Sequence, residues 1–163
     1  NSLYNHSKIK AMVSFTKGEG FGRPLLEFTA TGKPVIASGW SGHIDFLKHS
    51  ILLPGDLTDV HPSAADQFLL KGSKWFTVNY QYAMHVLKDV VENYKDYLPS
   101  AKQQSKYSIQ NFSLEAMDIL FCQYVDKGLS LVPKQVELKL PTLKKSAPVA
   151  PTITLPKLKK VNA

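Results

Sequence analysis

Two carboxylates stand eight positions apart in KGEGFGRPLLEF, Glu19 and Glu27, and the residues between them are unusual for a surface loop. Gly18, Gly20 and Gly22 alternate with Glu19 and Phe21, and Arg23 and Pro24 follow. A glycine loop that hands a strand over to a helix lets backbone N–H groups approach an anion closely, and the helix N-terminus adds partial positive charge. Arg23 brings a cation to the same end. On these residues alone the segment reads as a phosphate or pyrophosphate site, or as a plain turn, since glycine loops serve both. The glutamates add a second chemistry. A carboxylate accepts two hydrogen bonds from adjacent hydroxyls, which is how proteins hold ribose and sugar diols. Two carboxylates flanking a phosphate-binding loop suit a ligand with hydroxyls on both sides of a diphosphate, the shape of a nucleotide sugar. The plain alternative makes Glu27 a surface helix residue and Glu19 a solvated turn residue.

The flanking pattern supplies the elements that would position these groups. AMVSFT (11–16) is a short apolar run that suits a buried strand. RPLLEFTATG (23–32) reads as a helix, with Pro24 in the first turn, where its missing N–H costs nothing, and Gly32 at the C-terminal cap. KPVIAS (33–38) is a second buried strand, GWSG (39–42) a turn, HIDFLKHS one or two helical turns, and ILLP (51–54) a third strand. Residues 1–9 suit the end of a helix. Strand, glycine loop, helix, strand, turn, helix, strand is the rhythm of a parallel α/β sheet. Three strands are few for a complete doubly wound sheet. Together with an opening, NSLYNHSKIKAMVSF, that reads as a continuation, this sets the expectation that the chain is the C-terminal part of a longer protein.

Residues 55–74 show mixed polarity without a clean period and are expected to form an ordered loop with a helical turn at 64–70. The segment 78–98 is an amphipathic helix with apolar positions at Tyr82, Val86, Val90 and Tyr94 and at Met84, Leu87 and Val91. A shorter polar helix is expected at 100–110. Ser113 caps a further helix from Leu114, with Gly128 as its stop.

The chain has 163 residues, room for one domain of ordinary size, and 44% hydrophobic residues, enough for a packed core. The net charge of +7 is unevenly placed. Residues 1–133 carry 13 Lys plus Arg against 12 Asp plus Glu, a balance of +1, and residues 134–163 carry 7 Lys against one acid, Glu137. Inferring nucleic-acid binding from the overall pI would mistake where the charge lives. From about Pro133 proline recurs and aromatics vanish, so the partition is a domain at 1–132 and a basic, disordered Pro/Lys-rich tail at 133–163. Within that tail LPTLKK (140–145) is echoed by LPKLKK (155–160), either two short docking motifs or a biased tail. The single cysteine, Cys122, excludes an internal disulfide and a cysteine-rich zinc site, and reads as core filler. His6, His43, His49, His61 and His85 show no metal-ligand spacing. His43, beside the Gly42 turn, faces either a ligand or solvent. Asp56, Asp59 and His61 read as loop formers, and Trp75 and Phe76 as core. No apolar run approaches the roughly 18 residues of a membrane span, and no secretory signal opens the chain, whose first residue is Asn and not Met, so that absence carries little weight. A cytoplasmic location is expected.

EGFGRPLLEFTATGKPVIASGWSGHIDFL resembles the donor-binding segment of retaining GT-B glycosyltransferases, the glycosyl transferase group 1 family. Glu19 and Glu27 match that family's glutamate pair. Gly32, Lys33, Pro34, Val35, Ile36 and Ala37 match its following strand. SGHIDF, with Gly42 and Asp45, is similar to its next turn, and NFSLEAM (111–117) to a helix start near its C-terminus. The resemblance covers residues 1–130, most closely 11–54. It implies a Rossmann-like parallel sheet, the C-terminal half of a GT-B fold, followed by helices and a flexible tail. It implies that Glu19 contacts hydroxyls of the transferred sugar as the catalytic-site carboxylate and that Glu27 binds the ribose. It also implies that Gly20, Phe21, Gly22 and Arg23 face the sugar and diphosphate, with Leu25 and Leu26 packing beside them. No metal or other cofactor is implied; the nucleotide sugar is the donor substrate, and a hexose passes to an unknown acceptor, whether glycan, lipid or protein. Arg23 stands where the family usually has an apolar residue, and the family's upstream Arg and Lys clamp has no counterpart here. The acceptor-binding N-terminal domain is missing, so this chain would be inactive alone. Two other classes stay open: an inactive binding or structural module whose lysine-rich tail docks an anionic partner, and a tail-driven binder of nucleic acid or anionic membrane.

Overall fold

The three apolar runs become three parallel strands in a computed structural model that describes residues 2–133. Met12–Ser14 (β1), Val35–Ser38 (β2) and Ile51–Leu53 (β3) lie side by side in the order β1-β2-β3. The register places Met12 opposite Val35 and Ile36 opposite Ile51. β2 is central, and all four of its residues are buried, which is why VIAS is a continuous run and not an alternation. Its side chains still divide by face. Val35 and Ala37 join Leu25, Phe28, Phe46 and Leu47 in one core cluster; Ile36 joins Leu53, Phe76, Val78, Ala83 and Val90 in the other.

The helix Ser2–Asn5 (α1) precedes β1, as expected from residues 1–9. The crossover from β1 to β2 is Arg23–Thr29 (α2), which buries Leu25, Phe28 and Thr29. Gly32 sits in the turn after it with φ +69°, a conformation that costs glycine little. Gly42–Asp45 is one 3-10 turn, followed by the buried pair Phe46 and Leu47.

The region after β3 differs from the expected loop. Gly55–Asp59 (β4) pairs antiparallel with Lys74–Val78 (β5), from Gly55 opposite Val78 to Asp59 opposite Lys74. The one helical turn between them is a 3-10 turn at Pro62–Ala64, not a turn at 64–70. β4 was illegible because Leu57 is its only large apolar residue, and that side chain is exposed. Its partner makes it a strand: the Thr58 and Thr77 hydroxyls lie 2.7 Å apart across the pair. Asp56 and Asp59 are therefore exposed strand residues and not loop formers. His61 caps the 3-10 turn, its Nδ1 accepting from the Ser63 N–H at 3.2 Å.

The break between the two expected helices falls at Asn93 and not near residue 99. Tyr80–Glu92 (α3) stops at Asn93, where φ −114° and ψ 34° leave the helical region, and Tyr94–Phe112 (α4) follows at once. Pro99 lies inside α4 without ending it. The Asn79 side chain caps α3 by accepting from the Tyr82 N–H at 3.0 Å. Ala83 and Val90 are buried and Val86 and Leu87 pack beside them, whereas Met84 and Val91, expected on the second apolar stripe, face solvent. The α3–α4 joint is tied by the Asp89 carboxylate, which accepts from the Tyr97 hydroxyl and from Asn93 Nδ2. Those two hydrogen bonds, Tyr97 first, hold the Asp89 carboxyl below its ordinary value of 3.8. A carboxyl held low in the folded state contributes stability above its unfolded value, and the contribution disappears as pH falls through the folded one. Tyr97→Phe is therefore expected to lower stability near neutral pH and to match the parent in strong acid. Urea unfolding at neutral pH and below pH 3.8 checks this, and a pH-independent difference would refute it.

Leu114–Leu131 (α5) begins under the expected cap, with Ser113 Oγ accepting from the Ala116 N–H at 3.2 Å, but runs through Gly128 to Leu131. It packs chiefly along α4 and buries none of its own residues. Cys122, read as core filler, is exposed for that reason. Among the described residues no helix is long and apolar enough to cross a membrane. The lysine-rich segment, with LPTLKK and LPKLKK, lies outside the described residues.

Candidate functional site

Glu19 and the glycine loop follow the C-terminal end of β1, and the GWSG turn follows the C-terminal end of the neighbouring β2. Loops at these ends of adjacent parallel strands are where open α/β sheets bind ligands. The two loops are bonded to each other through the main chain of Glu19. Its N–H donates to Ser41 Oγ at 3.0 Å. Its carbonyl accepts from Ser41 Oγ at 2.6 Å and from the Gly42 N–H at 3.0 Å. Ser41 holds this position with φ 83° and ψ −168°, a backbone conformation that costs a non-glycine residue about 1–3 kcal/mol. The Glu19 carboxylate takes no partner among the described residues, and the residue is only half-buried.

The glycines act in different ways. A Cβ on Gly42 would stand 2.0 Å from the Gly20 carbonyl oxygen, so the two turns touch backbone to backbone. Gly22 is buried with φ +85°, and a Cβ there would meet His43 Cβ at 3.0 Å. Gly20 has nothing within 4 Å of such a position. The N–H groups of Gly20, Phe21 and Gly22 find no protein acceptor among the described residues. They are three consecutive donors on a loop whose course is fixed. The Phe21 ring leans on Phe46 and Phe112, at centroid distances of 5.1 and 6.3 Å, and so anchors the loop from its other side.

Arg23 and Glu27 are brought together, i to i+4 on α2, with Arg23 Nη2 donating to Glu27 Oε1 at 3.4 Å. The Arg23 side chain is 81% exposed, so this pair adds little stability and is easily displaced. Glu27 also borders a cleft of about 190 Å³ between α2 and the end of α4, lined by Leu26, Ala30, Ile109 and Phe112. Leu25 is buried and Leu26 half-buried, so both pack as expected. Asp45, in the 3-10 turn, is exposed.

Several residues that build the site escaped sequence reasoning. Ser41 is the principal one. His43 is fully buried and faces neither ligand nor solvent: its Nε2 donates to the Ser38 carbonyl at 2.6 Å, and its Nδ1 has no partner among the described residues. Ser38 Oγ in turn donates to the Thr16 carbonyl at 3.0 Å, tying β2 to the root of the glycine loop. Lys17 Nζ donates to Thr77 Oγ1 at 2.9 Å and lies 5.2 Å over the Trp75 ring. The Phe76 N–H donates to the Lys17 carbonyl at 3.1 Å, so the β4–β5 hairpin braces the same root. A run of Ser, Gly and His after a buried strand was the available signal, but partners 22 positions away are not legible in it. Among the described residues no group of three or more His, Cys, Asp or Glu is placed to hold a metal ion. The scan against protein-family models finds no matching family, and the comparisons with curated proteins and with solved structures find no match to this chain.

Proposed function

We propose that the chain is the donor-binding half of a retaining GT-B glycosyltransferase, holding a nucleoside diphosphate sugar from which a hexose passes to an acceptor. The observation that carries this reading is the treatment of Glu19. Its main chain is held by three hydrogen bonds at the ends of two adjacent parallel strands, while its carboxylate is left without a protein partner. In this reading Glu19 accepts from hydroxyls of the transferred sugar and Glu27 from the ribose hydroxyls, displacing Arg23. The unpaired amides of Gly20, Phe21 and Gly22 donate to donor oxygens. Arg23, released from Glu27, meets the diphosphate, so that charge developing on the leaving group is stabilised by groups already in place. The acceptor, its binding surface and the cation clamp belong to a domain beyond this chain, which therefore binds donor without turning it over. The setting proposed is the cytoplasm, where nucleotide sugars are made.

Calorimetric titration of the 1–163 chain with UDP and with GDP tests the reading. One of them binds, and Glu27→Ala weakens that binding about 10- to 100-fold, the worth of one or two hydrogen bonds to a charged group. Unaltered affinity in Glu27→Ala would count against the assignment, and so would a folded chain that binds neither nucleotide. The Arg23–Glu27 pair favours one second reading, a module that keeps the fold but whose ribose carboxylate is engaged by Arg23 and not by a ligand, with the lysine-rich tail as its working part. Arg23→Ala separates the two: if Glu27 is merely blocked, no nucleotide binding emerges from the parent, and it appears on removing Arg23.

A further inference from the structure

Trp40 is the one large aromatic side chain on the turn that grips Glu19, and its placement is costly enough to need a reason. Its indole is 43% exposed. The ring is nonetheless held in a fixed attitude, stacked on Phe76 with planes 7° apart and centroids at 6.0 Å. Phe76 itself is buried, so the support does not move. The backbone on either side of Trp40 is equally constrained. The Gly39 N–H donates to the Leu53 carbonyl at 2.8 Å, and Ser41 is bonded twice to Glu19. A rigid, half-exposed aromatic ring one residue before the serine that bonds the main chain of Glu19, whose carboxylate is unpartnered among the described residues, supplies the two kinds of group a carbohydrate site uses. The C–H face of a pyranose stacks on the ring, and its equatorial hydroxyls donate to the carboxylate.

We propose that Trp40 is the stacking platform for the transferred hexose, forming with Glu19 a subsite that reads the sugar and not the nucleotide. The inference rests on the donor-site reading above and adds to it the part of the donor that each group contacts. Glu27 is on α2 and Trp40 on the turn after β2, so in this reading nucleotide and sugar recognition fall to different residues. The ligand class is a neutral hexose with an uninterrupted C–H face.

The test uses the full 1–163 chain. The protein contains two tryptophans, so Trp75→Phe leaves Trp40 as the sole indole reporter. Titration with UDP-glucose or GDP-mannose is expected to change Trp40 emission, and the matching free diphosphate is not. In the otherwise native chain Trp40→Ala weakens the nucleotide sugar about three- to tenfold and leaves the free nucleoside diphosphate unchanged. Trp40→Phe, which keeps a ring on Phe76, retains most of the affinity. Equal losses for both ligands, or no loss for either, would overturn the Trp40 assignment while leaving the donor site intact. Failure of UDP and GDP alike to bind the parent would overturn the donor site and this subsite together.

Discussion

Gly42→Ala is expected to destabilise the fold by about 3 kcal/mol, the upper range for forcing atoms into a packed contact, and to abolish nucleotide binding. The added methyl would lie 2.0 Å from the Gly20 carbonyl oxygen, 2.8 Å from its carbon and 3.0 Å from the Glu19 carbonyl oxygen. All three obstacles are backbone, so no side-chain rotation relieves them. Either the glycine loop or the turn must move, and movement breaks the hydrogen bonds from Ser41 and Gly42 to Glu19. Gly20→Ala supplies the control. Its methyl meets nothing within 4 Å, so stability should change by no more than about 0.5 kcal/mol. Urea denaturation of the two variants beside the parent decides the matter. If Gly42→Ala unfolds at the same midpoint as Gly20→Ala, the two turns are not in contact as described.

Gln104→Leu is expected to cost about 2 kcal/mol, because it strands the His49 N–H and takes one of two donors from the Phe46 carbonyl, which keeps the Lys48 N–H; sequence reading never associated either group with α4. Gln104 is 2% exposed and engages with both ends of its amide. Its Oε1 accepts from the His49 N–H at 2.7 Å, and its Nε2 donates to the Phe46 carbonyl at 2.7 Å and to Ser108 Oγ at 2.9 Å. Leucine matches the volume but offers neither group. The site should feel the loss, since Phe46 supports the Phe21 ring. Gln104→Glu makes the mechanism visible. It keeps the acceptor for His49 and loses the donor to Phe46, so a stability below the parent is expected for it as well. A Gln104→Leu protein as stable as the parent would show that these buried bonds contribute nothing.

Much of the parallel sheet was legible because local signals agreed with one another. Continuous apolar runs marked β1, β2 and β3, Pro24 marked the start of α2, and Ser113 the start of α5, whereas α2 ends at Thr29 with Ala30 as its cap and Gly32, read as that cap, lies in the turn beyond. Each is a constraint that the residue imposes on its own backbone. The hairpin was not legible, since GDLTD carries no strand period and becomes β4 only by pairing with Lys74–Val78. The break at Asn93 was hidden for a related reason. No glycine or proline marks it, and Pro99, the one apparent breaker nearby, lies inside α4. Cys122 failed differently. Its helix is apolar enough for a core, yet among the described residues little packs on it besides α4.

For the site, the sequence by itself determined the chemistry on offer: two carboxylates eight apart, three alternating glycines and an arginine, between a strand and a helix. Residue type and chain offset carry that information, because functional groups and φ preferences are local properties. Only the tertiary structure decided how those groups are used. It buried His43 under Gly22 and set Trp40 on Phe76. It also closed Ser41 and Gly42 around the main chain of Glu19. Those arrangements join segments that are distant along the chain and depend on how closely two backbones approach, a quantity that exists only once β1 and β2 lie side by side.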